Sequence, residues 1–116
     1  MERSTGGFFK GKNPSVPIPK LRSKWVPEAP VLYIGKAGSV HGHATLRKRI
    51  QSYIRFGVGE AIGHWGGRYI WQLRNAEQLL ICWLVLPDAI PRDVEKSLIS
   101  SFEAKYGVLP FANLQR

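Results

Sequence analysis

Two stretches of this chain repeat apolar residues at helical spacing. Leu46, Ile50, Tyr53 and Ile54 recur at i, i+4, i+7 and i+8, with Arg47, Lys48, Gln51 and Arg55 on the opposite side. Thr45 is placed to cap that helix and Phe56-Gly57 to end it. Val94, Leu98, Phe102 and Tyr106 form a second stripe, in a helix that Pro91 starts, with Asp93 and Glu95 in its first turn, and that Gly107 stops. The other apolar runs are short and β-favouring. They are Gly7-Phe8-Phe9, Val31 to Gly35, Arg68 to Leu73 with its Tyr69, Ile70 and Trp71, and Leu79 to Leu86. The last is eight near-continuous apolar residues bounded by Pro87, and suits a strand covered on both faces. With a short helix over Val58 to Ile62, the order is strand, strand, helix, short helix, strand, strand, helix. That predicts an α+β domain with a small central sheet.

Residues 13–30 interrupt this pattern with Pro14, Pro17, Pro19, Pro27 and Pro30, which argue against a helix or a central strand there. With Lys20, Arg22 and Lys24, the stretch 10–30 reads as a basic excursion. It is either an arm along a phosphate backbone or a loop. At 116 residues and 44% hydrophobic content, the chain 1–116 reads as one domain with a single modest core. Charge adds more. Seventeen Lys and Arg against eight Asp and Glu give a net charge of +9, with a pI near 10.1, which points to a polyanionic partner, nucleic acid first. Cys82, the only cysteine, permits neither an internal disulfide nor a Cys-based zinc site, and its apolar context reads as core. No apolar run is long enough to cross a bilayer, and Met1 to Lys12 has no apolar segment of the signal-peptide kind. The expected setting is cytoplasmic, with no membrane contact.

Chemistry gathers at the end of the Val31–Gly35 run. Tyr33 and Lys36 deliver a phenol and a cation where Gly35 and Gly38 let the backbone turn. Arg49 falls at the border of the first helix's apolar stripe, from which a guanidinium reaches toward a bound phosphate. No paired-carboxylate cluster and no metal-spaced histidine set occurs. Trp25, beside Lys24 and near Arg22, is a candidate to stack on a base, while Trp65, Trp71 and Trp83 read as core.

Leu32-Tyr33-Ile34-Gly35-Lys36-Ala37, followed by Leu46-Arg47-Lys48-Arg49-Ile50-Gln51-Ser52-Tyr53, resembles the GIY-YIG nuclease family. It is similar in style to the N-terminal nuclease domain of the bacterial excision-repair endonuclease. Glu95-Lys96-Ser97-Leu98-Ile99 and Pro110-Phe111-Ala112-Asn113 resemble that family's acidic helix and terminal asparagine. The resemblance implies a mainly antiparallel central sheet flanked by helices, and an endonuclease hydrolysing DNA phosphodiester bonds, with RNA the lesser choice. It implies catalytic roles for Tyr33, Lys36, Arg49, Glu95 and Asn113. Glu95 would ligate a single Mg²⁺ or Mn²⁺ ion, with Glu103 as second choice. A lone carboxylate with water and phosphate oxygens is ordinary for magnesium. Glu95 also fits a plain helix-start acid, and Asn113 either positions Glu95 or closes the fold. Phe9 stands where the family's first-motif tyrosine is expected, and His43, ahead of His41, is the candidate replacement base; the alternative is an exposed loop histidine. His64 reads as a turn residue. Lys10, Lys12, Arg22, Lys24, Arg47, Lys48 and Arg55 are the expected nucleic-acid contacts. With Phe9 in place of a phenol, the alternative is a nucleic-acid-binding module of weakened catalysis.

Overall fold

The structure is a computed structural model that describes residues 3–8, 10–38, 45–62, 67–86 and 89–114. Three helices occur among them: α1 (Ile18–Lys24), α2 (Leu46–Gly57) and α3 (Pro91–Tyr106). Two single 3-10 turns, Ile70–Gln72 and Ala76–Gln78, lie between α2 and α3. The described residues contain no β-strand, only an isolated bridge position at Lys12. The expected α+β fold with a central antiparallel sheet is therefore overturned. None of the described helices is long and apolar enough to cross a membrane.

The backbone hydrogen bonds of the expected strands go elsewhere. The Gly7 N–H donates to the Phe56 carbonyl at 3.0 Å, at the end of α2, and the Thr5 N–H donates to Trp71 O at 3.2 Å. Gly6 and Gly7 allow this approach, because a Cβ on Gly6 would meet the Phe56 ring and one on Gly7 would overlap the Glu60 carbonyl. The Ala112 N–H donates to Leu32 O at 2.8 Å. Two further segments are held by side chains. The Gln72 amide donates to Val16 O (2.9 Å) and accepts from Val16 N–H (2.6 Å). The Asn113 amide donates to Ile34 O (2.8 Å) and accepts from Ile34 N–H (2.9 Å). Each amide reproduces the donor–acceptor pair of one rung of a β-ladder, with a side chain in place of a second strand. Both residues are buried.

The helices follow their sequences more closely. Thr45 accepts the Lys48 N–H on its hydroxyl at 3.1 Å and caps α2 as expected. Gly107, at φ 78°, ends α3 with its N–H on Glu103 O at 2.8 Å. The prolines that argued against a helix in residues 13–30 instead start one. Pro17 is the N-cap of α1 and Pro19 lies in its first turn, where no backbone donor is required. Leu21 anchors α1 in the core with no exposure. Val58 to Ile62 forms a turn rather than a helix.

The core comprises Leu21, Phe56, Tyr69, Ile70, Trp71, Ala76, Phe111 and Ala112, with Tyr33, Leu32 and Tyr53 packed against it. The tail thus folds back on the core through Phe111 and Ala112. A Cβ on Gly57 would overlap the Trp71 indole, so the end of α2 sits directly on that ring. The α3 stripe is displaced: Ile99 and Phe102 are buried while Leu98 is exposed, and none of the three belongs to the main cluster. The largest departure is the run 79–86. Leu80 is 91% exposed, and Trp83, Leu84 and Val85 are also exposed, as is Cys82. Neither a two-faced buried strand nor a core thiol is found there.

Two outcomes follow from this packing. Gln72→Glu removes the donor to Val16 O and buries a carboxylate, so at pH 7 it costs about 2–4 kcal/mol in denaturant unfolding. Burial raises the introduced acid's pKa, and its protonated form restores a donor. The lost stability is therefore recovered as pH falls below that raised value, and a deficit independent of pH contradicts the clamp. The Cys82 thiol reacts with a thiol reagent in the folded protein about as fast as in denaturant, whereas strong protection would return the run to a buried strand.

Candidate functional site

Tyr33 is half-buried against the core. A Cβ on Gly35 would lie 2.7 Å from its Cε1 and 3.0 Å from its hydroxyl oxygen, so the ring folds over the Gly35 backbone. The ring in that position leaves no room for a Cβ at 35 and sets the phenol beside the segment that carries Lys36. Gly38 adopts φ 83°, in the left-handed region. Lys36 is exposed, with Nζ 3.5 Å from Gly38 O, a contact at the limit of hydrogen bonding that leaves the ammonium available to a ligand.

Asn113 joins this group through Ile34, the residue between Tyr33 and Gly35. Both functional atoms of its amide are used on that backbone. Of the two roles open to Asn113, closing the fold is the one its hydrogen bonds perform. The structure therefore joins Asn113 to the Ile34 backbone, between Tyr33 and Gly35, from a chain position about 80 residues away.

Arg49 lies one helical turn before Tyr53 on α2, partly exposed. The Tyr53 ring packs on Trp71 with centroids 5.0 Å apart, and burial pushes its phenol pKa up to about 12. Arg49 thus projects from a helix whose inner face is fixed. Arg47 and Lys48 are exposed on the same helix. Arg55 is committed differently: its Nε donates to Glu60 Oε2 at 2.8 Å and its Nη2 to Oε1 at 3.2 Å, a fork-to-carboxylate pair. The Arg55 hydrogen bond holds the Glu60 carboxyl below its usual range, and the same pair raises Arg55. The stabilisation is present above the ordinary carboxylate range and is lost as pH falls through the lowered Glu60 value. Sequence reading placed Arg55 among the nucleic-acid contacts and overlooked Glu60, five residues on, as its partner.

No known protein family, curated protein or solved structure matches this chain.

Glu95 is partly exposed in the second turn of α3, and Asp93 is the acid of the first turn. Among the described residues no hydrogen bond or ion pair joins Glu95 to Tyr33, Lys36, Arg49 or Asn113. No three described His, Cys, Asp or Glu residues gather as a metal-binding group. His41, His43, His64 and Phe9 lie outside the described residues. Lys10, Lys12, Arg22 and Lys24 are exposed, Lys10 in the left-handed region at φ 54°, next to Gly11 at φ 72°.

The Arg55–Glu60 pair gives a direct test. If Arg55 is a nucleic-acid contact as the sequence suggests, Glu60→Gln releases the guanidinium and steepens the log-affinity against log-salt slope for duplex DNA by about 0.9, one added phosphate contact. An unchanged slope removes Arg55 from the interface.

Proposed function

We propose that this chain is a nucleic-acid-acting phosphodiesterase of GIY-YIG-like chemistry, with DNA as substrate. The single observation that carries the reading is the Asn113 amide pair on Ile34, which bonds this late asparagine to the backbone between Tyr33 and Gly35. It supports the reading by linking two of the resembling motifs that are far apart in sequence.

Cleavage of a phosphodiester requires a water to lose a proton, the developing charge on the phosphoryl oxygens to be stabilised, and the leaving oxygen to be neutralised. In this proposal Arg49 grips a non-bridging oxygen with its planar fork. Lys36 adds a point charge on the same phosphate, and Tyr33 orients the water or donates to the phosphate. Asn113 is a positioning residue, because its amide is already bonded to Ile34. Glu95 would hold a divalent ion, Mg²⁺ or Mn²⁺, whose charge would polarise a phosphate oxygen. The net charge of +9 draws the polyanion to the surface.

A second reading has its own support. Among the described residues the Glu95 carboxylate has no bond to Tyr33 or Lys36, and α3 contributes nothing to the main core cluster. A nucleic-acid-binding module without efficient cleavage accommodates both facts.

Nicking of supercoiled plasmid separates the two. Cleavage that needs added Mg²⁺ or Mn²⁺, and that falls about 100-fold or more in both Arg49→Ala and Glu95→Gln while DNA binding is kept, is the outcome expected of the enzyme. Tight, salt-sensitive binding with no nicking in either metal leaves the module.

A further inference from the structure

We infer that Trp25 is a stacking platform for an unpaired base, so that the nucleic acid this surface takes has a single-stranded segment. The inference rests on the nucleic-acid reading above but not on cleavage.

Trp25 is 43% exposed, on a backbone held from both sides. Leu21 before it has no exposure, Val26 after it is buried, and its own N–H donates to Arg22 O at 3.2 Å. The indole leans on the fully buried Phe111 ring, with centroids 5.4 Å apart and planes at 69°. Phe111 is fixed in turn, because the next residue donates its N–H to Leu32 O and Asn113 clamps Ile34. The ring is therefore set in place by an edge contact while much of its surface remains in water. A pre-organised aromatic of this kind binds a base without paying to order itself.

The surroundings select the ligand. Lys20, Arg22 and Lys24 of α1 are all exposed. From Arg3 to Pro27 the chain carries six cations (Arg3, Lys10, Lys12, Lys20, Arg22 and Lys24) and no acid, the next being the exposed Glu28. An apolar protein partner would not require that charge. A strand of phosphates with bases free to stack matches both features. In an intact duplex both base faces are already covered, so Trp25 gains nothing there beyond the phosphate contacts of its neighbours.

The test is binding, without divalent metal, of one 16-nucleotide DNA as a single strand and as a blunt duplex, to the full chain and to Trp25→Ala, Trp25→Phe and Arg22→Ala. Trp25→Ala should weaken the single strand about tenfold and change the duplex less than twofold. Trp25→Phe should keep most of the affinity, and it retains an aromatic edge for Phe111, which guards against a folding artefact. Single-strand binding should quench tryptophan emission in the full chain but much less in Trp25→Phe. Arg22→Ala should flatten the salt slope for both DNAs. Equal losses on single strand and duplex in Trp25→Ala, unquenched single-strand binding, or no single-strand binding would each overturn the inference. Stacking without any nicking in the plasmid assay would remove only the phosphodiesterase reading.

Discussion

The structure depends on two primary amides that bond to backbone. Gln72 holds Val16, and Asn113 holds Ile34, each through one donated and one accepted hydrogen bond. Both amide-bearing residues are buried. Their backbone partners at Val16 and Ile34 are partly buried, so leaving those groups unpaired would cost up to about 1–3 kcal/mol, and the two amides hold these segments on the core. With the Ala112-to-Leu32 bond, they join the N-terminal third, the 3-10 turns and the tail into one cluster, with no sheet among the described residues.

The same constraint shapes the site. Asn113 serves the fold and thereby the backbone beside Tyr33, so its contribution to any chemistry acts through backbone position rather than contact with a phosphate. Gly35 contributes in a related way, since its missing Cβ leaves room for the Tyr33 ring. The Phe111 ring beside Asn113 bears on Trp25, so the C-terminal turn supports both the segment with the phenol and the exposed indole. α3, with Glu95, stands outside this arrangement.

How much of this the sequence disclosed depended on whether the controlling interaction was local. α2 was legible to its ends because Thr45, the apolar spacing and Phe56-Gly57 all act within a few residues. α3 was legible in extent but not in facing, since which stripe is buried depends on distant packing; Ile99 replaced Leu98. α1 was missed because prolines were weighed as breakers, when at the N-cap and first turn they cost nothing. The sheet was expected because β-favouring residues register a fit to a pleated surface, and that preference is blind to whether a partner strand arrives. In this chain a glutamine and an asparagine arrived instead. Gln72 carried no signal beyond being a polar residue beside Trp71 in an apolar run. For the site, Asn113 was singled out from motif order and its amide is bonded to Ile34, the neighbour of Tyr33, whereas the Arg55–Glu60 pair lay in plain view five residues apart and was passed over.

Native-state amide hydrogen exchange, read residue by residue by NMR, tests the central claim most directly. If side-chain amides stand in for a ladder, the Val16 and Ile34 N–H groups are strongly protected, while those of residues 80–85 exchange at nearly the rate of an unstructured peptide. Strong protection throughout residues 80–85, together with open exchange at Val16 and Ile34, would contradict it: a β-sheet, and not the two amides, would then hold this protein together.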